Sequence, residues 1–211
     1  MKKVGIVCAM KEELALLQRE FPEGGDIRCV LSGIGKVNAA VSAERLITDF
    51  APDCILSIGV AGTFVEGLLE GETVTVSRTA YHDVWCGFGN RFGQVEGMPP
   101  YFESDPVLLQ CARKALPEAR EGLLCSGDQF YISREEDERQ KKLYPEALAV
   151  DMEGAAVAQV CHMHGIPFLA LKIISDNHTD GRQAERYEGF WKNIAEKSFH
   201  SVRTLLQEIM L

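Results

Sequence analysis

No apolar run in this 211-residue chain approaches the roughly 20 residues that a membrane-spanning helix requires. The N-terminal run Val4-Gly5-Ile6-Val7 is too short for a secretion signal and reads as a first strand. The seven cysteines include no C-x-x-C pair, are odd in number and lie scattered. A disulfide framework and a zinc ribbon are thereby excluded, which leaves reduced thiols in a cytoplasmic protein. His162 and His164 stand two positions apart, on different faces of a helix, so no metal site is expected at Cys161 to His164. Positive charge is scarce: 22 Lys and Arg face 31 Asp and Glu, a formal net charge of -9. That argues against a nucleic-acid surface and for a small-molecule partner. Phosphate-binding and nucleophile-elbow motifs are missing, and Gly33-Ile34-Gly35 lacks the third glycine of a dinucleotide fingerprint. No cofactor is expected.

What is present is organised around Ala147-Leu148-Ala149-Val150-Asp151-Met152-Glu153-Gly154-Ala155-Ala156. An apolar strand runs into two carboxylates and then into small residues that open a helix. Carboxylates at such a junction cost desolvation free energy unless a helix N-terminus and its free N–H groups face them. A plain helix-capping acid is the competing explanation for Glu153.

The remaining chain alternates strand and helix. Strands are predicted at Val4–Ala9, Ile27–Leu31, Asp53–Ile58, Gly71–Val76, Gly122–Ser126 and Ile166–Ile174. Helices are predicted over Met10–Glu20, Val37–Phe50, Asp105–Leu116, Arg134–Lys142, Gly154–His164 and Tyr187–Met210. Strand ends run into small-residue loops at Ser32–Lys36 and Gly59–Gly62, and a long loop from Tyr81 to Gln94 mixes aromatics with glycine. One of Glu12 and Glu13 is a charged helix start, and periodicity does not decide which turns inward. The pattern implies one α/β domain over residues 1–211, a three-layer αβα arrangement with a mostly parallel, mixed central sheet. In such a sheet the strand ends that carry Glu13, Glu153 and Asp176 can converge on one crevice. Several acids, aromatics and no metal cluster point to acid/base chemistry on a neutral aromatic ligand, such as cleavage of a glycosidic bond.

With these residues in view, the chain resembles the 5'-methylthioadenosine/S-adenosylhomocysteine nucleosidases of the nucleoside phosphorylase fold. The resemblance rests on Gly5-Ile6-Val7-Cys8-Ala9-Met10-x-Glu12-Glu13, Ser32-Gly33-Ile34-Gly35-Lys36, Gly59-Val60-Ala61-Gly62 and Tyr81-His82-Asp83. It continues through Phe88-Gly89 to Gly93-Gln94, Ser126-Gly127-Asp128-x-Phe130, Met152-Glu153-x-x-Ala156 and Ile174-Ser175-Asp176. It implies hydrolysis of 5'-substituted adenine nucleosides by a homodimer. By position it implies Glu13 as the base that activates water and Asp176 as the acid at purine N7, held by Ser175. Glu153 would bind the ribose hydroxyls beside Met152 and Met10. Phe130 would stack on adenine, Tyr131 would bond its edge through the backbone, and Gly62 would line the base of the pocket. Tyr187 would approach the 5' group, and Phe88 would reach the partner's pocket.

The chain departs from the family pattern at Val60, usually Ser, at Lys172, usually Arg, and at Asp151, usually Glu. The segment before Ser32 is also shorter, and Trp85 stands in an unusual loop. These differences bear on the 5' group more than on the reaction type. The alternatives are a phosphorolytic enzyme of the same fold, a nucleosidase for another 5'-modified nucleoside such as aminofutalosine, and a non-catalytic nucleoside-binding protein.

Overall fold

The structure, a computed structural model, describes residues 3–21, 25–130, 134–177, 183–193, 195 and 199–211. Its strands are β1 (Val4–Cys8), β2 (Ile27–Leu31), β3 (Cys54–Thr63), β4 (Thr73–Tyr81), β5 (Phe102–Glu103), β6 (Arg120–Ser126), β7 (Ala147–Asp151) and β8 (Phe168–Asn177). Its helices are α1 (Lys11–Glu20), α2 (Lys36–Phe50), α3 (Pro106–Ala115), α4 (Arg134–Leu143), α5 (Gly154–His164), α6 (Gln183–Asn193) and α7 (His200–Met210).

The sheet is mixed, as expected. β2, β1, β3 and β8 run parallel in that order, and β4, β6 and β7 form a second parallel set. The sets meet antiparallel at β4–β8 and again at Gly62–Val150 between β3 and β7. β3, β8, β4, β6 and β7 therefore close on themselves, a ring that an alternating pattern of strands and helices does not reveal. All ten residues of β8 are buried; Phe168–Ile174 is apolar except for Lys172, and the buried polar residues Ser175, Asp176 and Asn177 end the strand.

Helices cover both faces. One core packs Ala39, Ala43 and Leu46 of α2 against Ala155, Ala158 and Cys161 of α5. The other packs Leu17 of α1, Leu108 of α3, Phe190 of α6 and Leu205 of α7 on the opposite face. The inward face of α2 leaves Val37 and Val41 exposed, although both fit its apolar period. Asp105 caps α3 by accepting the Val107 and Leu108 N–H groups, with Pro106 at the first helical position.

Two expectations need correction. Gly59–Gly62 is not a loop: β3 continues to Thr63 because each residue finds a partner on β8. Tyr187–Met210 is not one helix; the span contains the end of α6 and then α7. β5, two residues long, escapes any periodicity argument. Of the thiols, Cys8, Cys54, Cys125 and Cys161 are buried, whereas Cys86 is exposed.

Candidate functional site

A cavity of about 120 Å³ opens where β1, β3, β7 and β8 end. Nine of the residues singled out by sequence line it: Met10, Glu13, Gly62, Phe130, Met152, Glu153, Ser175, Asp176 and Tyr187. Phe88 lies elsewhere, fully exposed on the aromatic loop. Tyr131 lies outside the described residues. Sequence reasoning missed Ile34 and Gln129 as lining residues. Ile34 had a signal, since an apolar side chain between two glycines at a strand end has no core to enter.

Glu13 settles the ambiguity of the first helix. Glu12 is exposed, while Glu13, the third residue of α1, is 2% exposed. One carboxylate oxygen accepts the Ala9 and Met10 N–H groups, each at 2.9 Å, and the other accepts the Val60 N–H at 2.8 Å. This approach requires Gly59, because a Cβ there would stand 2.6 Å from the Glu13 carboxylate. Burial pushes the Glu13 pKa up, against the pull of Lys172 and the three N–H groups. The group is thus a carboxylate drawn toward neutrality, which suits a base. The side chain at Val60 is apolar, but its N–H supplies the polar contact to Glu13.

Asp176 owes its place to a break in the β-ladder. Ala61 pairs with Ile174, and the next pair is Gly62 with Asp176, so Ser175 is an extra residue on β8. Adjacent strand residues normally face opposite ways; a bulge releases that rule and lets Ser175 and Asp176 line one cavity. The Ser175 hydroxyl lies 2.5 Å from Asp176 Oδ1 and donates to it.

Glu153 is not a capping acid. It occupies the N-cap position of α5 without a side-chain cap bond, and its Oε1 accepts the Gly35 N–H at 2.8 Å. The cap comes from elsewhere: Asp151 accepts the Gly154 N–H at 2.9 Å, and Ser126 Oγ accepts that of Ala155 at 2.8 Å. Ser126 in turn donates to Asp151 at 2.5 Å. Burial, then the neighbouring Asp151 charge, raises the Glu153 pKa to about 7.

Lys172 and Asp151, two of the departures from the family pattern, are partners. Their charged atoms lie 2.9 Å apart with both side chains almost fully buried. Burial alone would discharge Lys172, but Asp151, Glu153 and Glu13 around it outweigh that and push its pKa up. Removing one member of a buried pair costs ~3–5 kcal/mol, because the other charge is stranded. The site therefore holds three carboxylates around one ammonium. At the opposite wall the Tyr187 hydroxyl donates to Met10 Sδ at 3.3 Å, and its ring meets Phe130 edge to face.

Comparison with known proteins agrees with this geometry. The Phosphorylase superfamily model matches residues 3–207. The 5'-methylthioadenosine/S-adenosylhomocysteine nucleosidase of Aeromonas salmonicida is 33% identical over 98% of this chain and 100% of its own. Among solved structures, the Neisseria meningitidis nucleosidase of that name, in complex with methylthio-immucillin-A, superposes with a TM-score of 0.91 at 34% identity, covering 98% of this chain and 99% of its own. A futalosine hydrolase from Helicobacter pylori superposes at 0.90 with 28% identity, covering 98% of each chain. The ring of strands, the cavity at their ends and the full-length match agree: this chain belongs to the Phosphorylase superfamily and, within it, to the 5'-methylthioadenosine/S-adenosylhomocysteine nucleosidase family.

Proposed function

We propose that this protein hydrolyses the N-glycosidic bond of 5'-substituted adenine nucleosides, releasing adenine and the 5'-substituted ribose. The observation that carries the reading is a cavity lined by Glu13, Glu153 and Asp176 with no Lys or Arg among its described lining residues. Glu13 takes the proton of the attacking water, Asp176 gives a proton to the purine, and Glu153 holds the ribose hydroxyls while cationic charge develops. Phe130 stacks on the base with Gly62 beneath it, and Met10, Met152 and Tyr187 surround the sugar and its 5' group.

The test is adenine release from a panel of adenosines with methylthio, homocysteinyl and futalosine-type 5' groups, with and without phosphate. Release from the thioether substrates at a rate indifferent to phosphate is expected. Strict phosphate dependence and a ribose 1-phosphate product would move the protein to the phosphorylases. Turnover confined to futalosine-type substrates would favour the other 5' class.

We also infer a cytoplasmic homodimer. Trp85 stacks on Phe92 and meets Phe88 edge to face, and Phe88 is wholly exposed. Val37, Val41, Ile34 and Phe130 are also more than a third exposed. Aromatic side chains of roughly 150–250 Å² each dominate interface energetics, and in this reading Phe88 reaches into the partner's cavity. Light scattering at micromolar concentration should give twice the chain mass. A fully active monomer would remove the idea.

A further inference from the structure

Outside the acids of the cavity, one cluster of charges has no role in the chemistry proposed above: Lys36, Asp83 and Asp128. Three separate strand ends supply them. Lys36 is the first residue of α2, Asp83 follows β4, and Asp128 follows β6. The Lys36 ammonium donates to both Asp83 oxygens, at 2.7 and 2.8 Å, and stands 3.9 Å from Asp128. The backbone joins in. The Asp128 N–H donates to Asp83 at 2.9 Å, and Asp128 Oδ1 accepts the Lys36 N–H at 2.8 Å.

The last contact caps a helix from a distance. The N-cap residue of α2 is Gly35, which has no side chain to cap with, so Asp128 serves one of the free N–H groups. Gly35 sits at φ 97°, and a Cβ there would stand 3.0 Å from Asp128 Oδ1. Its own N–H is the one that Glu153 accepts. Two residues beyond Asp128 stands Phe130, on the cavity wall.

We propose that Lys36, Asp83 and Asp128 form a positioning clamp: it fixes the start of α2 so that the Gly35 N–H holds the Glu153 carboxylate, and ties that bond to the segment that carries Phe130. The inference rests on the reading of Glu153 as the ribose-binding acid. The clamp touches neither sugar nor base and acts through Glu153. The groups that face Glu153 are Asp151 beside it, Lys172 on β8, Glu13 on α1 and the Gly35 N–H. Of these, the Gly35 N–H is the one that the clamp controls, and it favours the ionised acid. Loosening it makes Glu153 easier to protonate, so activity is lost at a higher pH than in the wild type.

Asp128 is half-exposed, and its replacement removes a helix-capping contact and no core side chain, so the fold should survive. The experiment measures kcat/KM against pH for Asp128→Ala, Asp128→Asn, Glu153→Gln and the double variant Asp128→Ala/Glu153→Gln, with Lys36→Met as an independent break of the clamp. Asp128→Ala and Lys36→Met should each lower kcat/KM about tenfold near neutrality and move the acid limb up by about half a unit or more. Asp128→Asn, which still offers an oxygen to the Lys36 N–H, should restore most of both. In the double variant Asp128→Ala should no longer move the limb. An unmoved limb in Asp128→Ala, with Glu153→Gln shifting it, overturns the clamp and leaves the role of Glu153 standing. A limb and rate unaffected by Glu153→Gln overturn the role of Glu153 itself, and the clamp with it.

Discussion

Asp176→Asn should lower turnover of adenine nucleosides by ~100- to 10,000-fold, the range that a positioned general acid supplies. The substitution keeps the size of the side chain. Its amide oxygen can still accept from Ser175, whose hydroxyl lies 2.5 Å from Asp176 Oδ1. The bulge that turns residue 176 inward belongs to the pairing of β3 with β8 and does not depend on the acid. Folding and ligand binding should therefore survive, and the loss should fall on kcat. What disappears is a proton that can move to the departing purine as the glycosidic bond lengthens. A riboside with a good leaving group, which needs no such proton, should be cleaved by the variant at close to the wild-type rate. Steady-state rates on the two substrate types measure the difference. Near-normal adenine release by Asp176→Asn would show that the purine receives its proton from elsewhere.

Much of this site was legible because its acids stand where apolar segments stop. Asp176 follows the apolar run of β8, and Glu153 follows that of β7. What the residues alone left open was settled by contacts between distant segments. Glu12 and Glu13 are both good first-turn acids, and the choice falls to the Val60 N–H, 47 positions away, and to the absent Cβ of Gly59. Glu153 could have been a cap, but Asp151 and Ser126 already do that work on α5. Lys172 and Asp151 look like two unrelated departures along the chain and are one ion pair in space. The glycines of β3 misled for a physical reason. Glycines usually read as turns, whereas here Gly59 and Gly62 sit inside a ladder, and Gly59 makes room for the Glu13 carboxylate.

Glu13→Gln should abolish hydrolysis without creating a dependence on phosphate. The carboxylate accepts three N–H groups with two oxygens. A glutamine has one oxygen, so its NH₂ must face either Val60 or the Ala9–Met10 pair, and at least one buried donor loses its partner. That costs about 1–3 kcal/mol of stability. The kinetic loss should be larger, because no proton acceptor remains beside the attacking water. A variant that still binds a stable transition-state mimic but has lost ~100-fold or more in kcat separates the two effects.

The same residue decides between water and phosphate as the nucleophile. A phosphate charge placed about 4 Å from a carboxylate is opposed by roughly 4 kcal/mol at the effective dielectric of a partly buried site, about a thousandfold in occupancy. Lys172 does not reverse this, since its ammonium is already bonded to Asp151 at 2.9 Å and flanked by Glu153 and Glu13. Replacing Glu13 by glutamine removes one repulsive charge but adds no cation, so phosphate still has nothing to bind. The measurement is product analysis of wild type and Glu13→Gln at zero and saturating phosphate. Free 5'-substituted ribose from the wild type in both conditions, and no ribose 1-phosphate from either protein, is the expected outcome. Sugar phosphate from the wild type would assign the ammonium of Lys172 to an incoming anion and Glu13 to some task other than the activation of water.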